Sequence, residues 1–234
     1  MKILAIIPAR GGSKELPMKN IQKLNGKPLI EYTIVAAKNC KKIDKIIVST
    51  DNKKIANISR SLGVDVPFLR PKHLATDNSL SIDTVKHALQ FLHDSQSYVP
   101  KIILLLQPTS PFRTTAMINT SISTLQKSRA TSVLSVSKVK THPFKSFRHN
   151  TKYLSAFNSD FEKYTQRHQI PNLYHPTGSI YTFWYSTLKN YDSLYGPRIL
   201  PLIEKDEFID IDSKFDLFVS EMKILNWKNY KKYN

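Results

Sequence analysis

The chain has 234 residues, enough for one sizeable core, and its uninterrupted apolar runs stop at about five residues, too short to cross a bilayer or to form a secretory leader. Its single cysteine, Cys40, excludes an intrachain disulfide and fits a reducing cytoplasm. The formal charge of +17 invites a nucleic-acid-binding reading, but the lysines are spread over the whole chain. No recognition-helix stripe, zinc-knuckle spacing or RNA-binding aromatic motif accompanies them. The charge therefore reads chiefly as solvated surface that also attracts a small polyanion.

In chain order, a strand over 3–7 (ILAII) is followed by a helix over 28–39, a strand over 45–49 and a helix over 52–62. A strand over 64–68, a helix over 81–93, a strand over 101–106 and a helix over 114–127 come next. Strands over 131–137, 179–184 and 199–203 and a helix over 213–227 complete the chain. Several strands are almost wholly apolar, as strands buried on both faces of a parallel sheet are. The alternation predicts an α/β fold with a mostly parallel, doubly wound sheet in one domain over 1–234. Residues 138–176 break the rhythm. They are rich in His, Lys, Phe and Tyr and read as an inserted lid or dimerisation arm.

In open α/β sheets ligands sit beyond the carboxyl ends of the strands. The loops there read ARGGSKELPMKN, STDN, LRPKHLATDNSLS and QPTSPFR. The first matches neither the dinucleotide glycine pattern nor the Walker loop. It does hold the pair Gly11 and Gly12, which would let backbone N–H groups approach an anion, with Arg10, Ser13, Lys14 and Lys19 as further donors.

The segments ARGGSKELPMKN, IIVSTDN, LRPKHLATDNSLSID, LLLQPTSPFR, HPFK and IDIDSKFDL, in this order and at these spacings, resemble the acylneuraminate cytidylyltransferases, the CMP-sialic acid synthetase family. The resemblance implies a Rossmann-like nucleotidyltransferase that transfers CMP from CTP to the anomeric hydroxyl of a nonulosonic acid and releases pyrophosphate. It implies nucleotide contacts at Ala9, Arg10, Gly11, Ser13, Lys19, Asn20, Arg70, Ser79 and Ser81. Sugar contacts are implied at Gln107, Lys145, Arg167 and Tyr181, with the arm reaching across a homodimer. Arg10, Lys19, Arg167 and Asp212 are the residues it marks for catalysis.

Each residue also has a plainer role. Ser79 or Ser81 could cap the helix that follows, Asn20 could be an ordinary loop residue, and Gln107 could bond its own loop. In IDID, an extended chain would put Asp210 and Asp212 on one face and bury Ile209 and Ile211 on the other. Two carboxylates beside a triphosphate make a Mg2+ site. Alternatively Asp212 belongs to a helix start, because Ser213 and Asp216 have capping-box spacing.

Three positions depart from the family pattern: Glu15 stands where glycine is usual, and His175 and Thr177 stand where arginine and asparagine are. Glu15 either turns outward or weakens phosphate affinity, whereas His175 and Thr177 border the implied sugar pocket and point to a relative of sialic acid, of legionaminic or pseudaminic type. His142, His168 and His175 lack metal-ligand spacing. A cytidylyltransferase for another keto-sugar acid such as 3-deoxy-octulosonic acid is the close alternative. A noncatalytic basic nucleic-acid-binding protein is the distant one.

Overall fold

The stretch ILAIIP forms β1 (Ile3–Pro8). Its side chains alternate between two cores, Ile3, Ala5 and Ile7 entering one and Leu4 and Ile6 the other. The computed structural model describes residues 1–164, 166, 169–204 and 208–226. A small antiparallel pair follows, β2 (Lys23–Leu24) with β3 (Lys27–Pro28). Its turn uses Asn25 at φ 47 and Gly26 at φ 78, the left-handed conformation that tight hairpins require.

The remaining elements are α1 (Leu29–Lys38), β4 (Lys45–Ser49), α2 (Lys53–Ser61), α3 (Ser81–Gln96), β5 (Ile102–Leu105), α4 (Thr115–Lys127) and β6 (Ser132–Lys138). After them come β7 (Phe147–Asn150), β8 (Tyr153–Ala156), β9 (Tyr174–Trp184), α5 (Tyr185–Tyr191), β10 (Ile199–Ile203) and α6 (Lys214–Leu225). The six-stranded sheet runs β10-β6-β9-β5-β1-β4. Only β9 is antiparallel to its neighbours. Apolar faces of α1, α2 and α4 cover one side, and α3 and α5 cover the other.

Two expectations need correction. Residues 64–68 form no strand, only isolated bridges from Asp65 to Ile47 and from Leu69 to Thr50. Pro67 has no N–H to give a ladder, and the Val66 carbonyl is taken by Arg60 Nη2 at 2.9 Å. The arm is also shorter than 138–176. β9 begins at Tyr174 and pairs Lys138 with Tyr174, so the stem closes where Val139 N–H donates to Leu173. Inside it lies the exposed hairpin β7–β8. IDID is irregular chain, and the burial of its isoleucines is as expected: Ile211 is wholly buried and Ile209 packs beside it.

The chain leaves β1 toward β4 on one side and returns to β5 on the other. That reversal opens a crevice at the carboxyl ends of β1 and β5, the place where such sheets receive ligands.

Candidate active site

A cleft of about 240 Å³ occupies this crevice. Its walls include Arg10, Lys19, Asn20, Arg70, Ser79, Ser81 and Gln107, brought together from three separate loops. Ala9, Gly11, Ser13, Lys145 and Tyr181 do not line it. Arg167 lies outside the described residues, as does His168.

The opening loop is a set of cations already matched to carboxylates. Arg10 Nη2 lies 2.7 Å from Asp77 Oδ1, and Lys14 Nζ lies 2.9 Å from Asp77 Oδ2. Together the two cations, Lys14 foremost, hold the Asp77 carboxyl below its ordinary value. Lys19 Nζ lies 2.5 Å from Asp212 Oδ1. Asn20 is buried, and its amide donates to the Arg10 carbonyl at 2.9 Å, which fixes the turn. Of the two glycines, Gly11 is already engaged by the framework. Gly11 N–H is held by Asp51 Oδ1 at 2.8 Å, and a Cβ there would come within 2.8 Å of the Asn52 amide. Gly11 is thus required by close packing rather than by an approaching anion. Ala9 is buried in the core, with its N–H bonded to Ser49, and Ser13 is half-buried.

On the opposite wall Arg70 is buried and largely committed to the framework. Its Nη2 donates to the Ser49 carbonyl at 2.9 Å and its Nη1 to Thr84 at 3.0 Å, while Nε has no partner. Burial pulls its guanidinium below its ordinary value. Neither serine caps α3, whose N-cap is Leu80 without a side-chain bond. Ser79 Oγ instead donates to the His73 carbonyl and accepts from Thr76 N–H, both at 3.0 Å. The Ser81 hydroxyl makes no bond among the described residues and lines the cleft.

Gln107 follows β5, and its side-chain amide likewise bonds to nothing in the described protein. Its Oε1 rests on Gly178, where an added Cβ would lie 2.8 Å away. Gly178 also has φ +75, so both sterics and backbone demand glycine there. The Gln107 carbonyl accepts from Arg113 Nη2. Arg113 Nε also donates to the Ser179 carbonyl and Nη1 to Thr33, each at 2.9 Å. Burial brings this guanidinium down to about 9, against the opposing pull of Glu204 and Asp210. Sequence reasoning quoted QPTSPFR but did not single out Arg113. Its signal was an arginine inside an otherwise apolar and hydroxyl-bearing stretch.

Thr177 and His175 are not cleft residues. Thr177 is buried, its Oγ1 lying 2.7 Å from Ser135 Oγ and 2.9 Å from Glu204 Oε1, within hydrogen-bond reach of both. His175 Nε2 lies 2.8 Å from Ser137 Oγ in the stem of the arm. Tyr181 is hemmed in by β5 and β6, and burial pushes its phenol up to about 12. Lys145 is tied within the arm, donating to the Phe161 carbonyl at 2.6 Å.

Ser213 and Asp216 do form a capping box, Ser213 N–H and Oγ both reaching Asp216 Oδ2. The cap thus uses Asp216 and leaves the Asp212 carboxylate to Lys19. Asp210 Oδ1 is buried and lacks a partner with hydrogen-bond geometry. Burial first, and the Asp212 charge after it, raise the Asp210 carboxyl above its ordinary value, against the opposing pull of the Thr109 hydroxyl and the Lys19 charge. An orphaned carboxylate oxygen beside a second carboxylate fits a hard cation that takes oxygen ligands. Among the described residues no group of three His, Cys, Asp or Glu forms a protein-only metal cage. That fits an ion completed by phosphate and water.

A doubly wound sheet with a cationic cleft at its reversal point, bounded by hydroxyls and an unbonded amide, defines an α/β protein with a polar cleft where such sheets receive ligands. A family model described as cytidylyltransferase matches residues 4–210, and the chain belongs to that family. It is 37% identical to the N-acylneuraminate cytidylyltransferase of Escherichia coli over 99% of this chain and 54% of that protein, so it spans about half the length of that relative. It is 39% identical to the CMP-N,N'-diacetyllegionaminic acid synthase of Legionella pneumophila over 94% of this chain and 95% of that one. The fold is similar to a structure of CMP:2-keto-3-deoxy-manno-octonic acid synthetase complexed with CTP, with TM-score 0.71 and 16% identity over 97% of this chain and 99% of that one. Among the described residues no helix is long and apolar enough to cross a membrane.

Proposed function

We propose that the chain transfers CMP from CTP to the anomeric hydroxyl of a nonulosonic acid, a sialic acid or a legionaminic- or pseudaminic-type relative, and releases pyrophosphate. The observation that carries this reading is the cleft itself, with Arg10 and Lys19 on one wall, Lys14 joined to that wall through Asp77, and free hydrogen-bonding groups on the others. The phosphates would lie along Arg10, Lys14 and Lys19. The base and ribose would meet Ser81 and the frame held by Arg70. Gln107, with an unbonded amide, would read the hydroxyls of the sugar, because an amide both donates and accepts. The octulosonic acid alternative is less favoured, because relatives named for nonulosonic acids share far more of the sequence.

The anomeric oxygen attacks the α-phosphorus, the bond from that phosphorus to the pyrophosphate oxygen breaks, and the hydroxyl proton is lost. The chain's contribution is alignment of the two reactants and stabilisation of charge that moves onto the leaving pyrophosphate. Lys19 and Arg10 supply that charge from one loop. Asp210 and Asp212 would hold Mg2+, which when bound supplies further neutralisation of phosphate charge.

The working unit in this reading is a homodimer. The arm exposes Phe147, Tyr153, Leu154 and Phe157, and α6 exposes Phe215, Phe218, Met222 and Leu225 on one stripe. Because α6 begins just after Asp212, an arm from a second copy laid on this stripe would bring Lys145 and Arg167 toward the sugar carboxylate. Cys40, buried against Asn119, suits a reducing cytoplasm. The test is pyrophosphate release from CTP with a panel of keto-sugar acids. Turnover with octulosonic acid alone, or with no member of the panel, would overturn the reading.

A further inference from the structure

Asp77 has no place in the scheme above. It stands in the loop before α3, and its carboxylate faces across the cleft into the opening loop. One oxygen takes the Arg10 guanidinium and the other takes the Lys14 ammonium, at 2.7 and 2.9 Å. Two neighbouring oxygens shared between an arginine and a lysine are what a phosphate offers the same pair. The carboxylate is also solvent-exposed, its side chain 39% accessible, and exposed ion pairs of this kind contribute little to folding. Stability of the fold therefore does not account for its position.

We propose that Asp77 is an internal stand-in for a ligand phosphate, holding Arg10 and Lys14 across the cleft and yielding them when a nucleotide polyphosphate or pyrophosphate binds. The proposal rests on the reading of this loop as the phosphate site. Each incoming phosphate must displace a carboxylate already bound to its cations, so Asp77 lowers affinity for the phosphate chain and speeds release of pyrophosphate. It does so without touching the recognition of base or sugar. The displaced carboxylate belongs to the loop that also carries Ser79 and leads into Ser81.

Calorimetric titration of the full chain with pyrophosphate, CTP and cytidine tests this. Asp77→Asn keeps the size of the side chain and removes its charge. It should bind pyrophosphate and CTP about 3- to 10-fold more tightly, with cytidine unchanged, as expected when a competing internal anion is lost. In turnover KM for CTP should fall by a similar factor, inhibition by pyrophosphate should strengthen, and Asp77→Glu should restore the wild-type values. Unchanged or weaker pyrophosphate binding in Asp77→Asn would overturn the proposal and assign Asp77 the plain task of positioning Arg10. If Arg10→Ala leaves pyrophosphate binding intact, the phosphate-site reading itself fails, and the proposal with it.

Discussion

Lys19 Nζ and Asp212 Oδ1 lie 2.5 Å apart although 193 positions separate them in the chain. The contact joins the first loop of the sheet to the last segment before α6, and so closes one end of the cleft. The Asp212 side chain is 60% accessible, so this pair contributes at most about 1 kcal/mol to stability. In the proposed reaction its importance is electrostatic: it would hold Lys19 toward the phosphates and keep a carboxylate beside Asp210. Asp212→Asn should therefore melt within a few degrees of wild type yet lose roughly 10²-fold or more in turnover. It should also need more Mg2+ for half-maximal rate. Wild-type kinetics in this variant at limiting Mg2+ would remove Asp212 from the mechanism.

Gly178 supports Gln107 from beneath. An alanine there meets Gln107 Oε1 at 2.8 Å and must adopt φ +75. Gly178→Ala should cost about 1–2 kcal/mol in unfolding free energy. If Gln107 reads the sugar, KM for the sugar should rise while CTP binding is preserved. A loss confined to CTP binding would place Gln107 with the nucleotide instead.

The strands and helices could be read closely from the sequence because their apolar periods are clean. β4 and β10 fall on the expected residues, and α1, α2 and α4 differ by about one residue at each end. Where the reading missed, tertiary bonds decided. Pro67 and Arg60 deny 64–68 a ladder, and pairing with β6 lengthens β9 by five residues that look like loop. In the site, residue types pointed to loops that the fold brings together around one cleft, but not to the partners. That Gly11 N–H is engaged by Asp51, that Thr177 turns into the sheet, and that Arg113 carries the Gln107 loop all depend on contacts between distant segments. Motif spacing carries no such information.

Glu204 gives a pH prediction. Burial raises its carboxyl above the ordinary value, outweighing the bonds from Thr177, Ser179 and Ser135 and the charge of Arg113. The folded state therefore holds the proton more tightly than the unfolded chain. This group is least unfavourable to folding below its unfolded value, and stability is lost as pH rises from there through its folded value. The amide introduced by Glu204→Gln cannot ionise and can still accept from Thr177. Relative to wild type, this variant should gain in melting temperature as pH rises above about 4.5, the ordinary value of the carboxyl. A difference that stays constant or shrinks with rising pH would contradict the buried, raised carboxyl.

Arg113 makes a sharper test of positioning. Its three donors serve Ser179, Thr33 and Gln107 at once. Arg113→Lys retains a cation but replaces a planar fork with a single head, which cannot reach all three. It should destabilise the chain by about 2–4 kcal/mol, since buried acceptors lose their donors. At a temperature where the variant is folded, the sugar KM should rise more than the CTP KM. An equal change in both would make Arg113 a purely structural residue.

The α6 stripe allows the dimer to be tested without touching the cleft. Phe218 is 56% accessible, so Phe218→Glu removes no core contact and should leave the monomer's fold intact. If a second copy's arm lies on this stripe, a buried unpaired carboxylate would oppose association strongly. The variant should sediment as a monomer, bind CTP normally and lose sugar turnover. Mixing subunits gives the complementary experiment. Arg167→Ala and Asp212→Asn chains, each inactive alone, should recover activity together, because an arm acting in trans leaves one of the two sites in each heterodimer undamaged. A wild-type monomer with full activity, or heterodimers that form yet stay inactive, would show that each chain completes its own site.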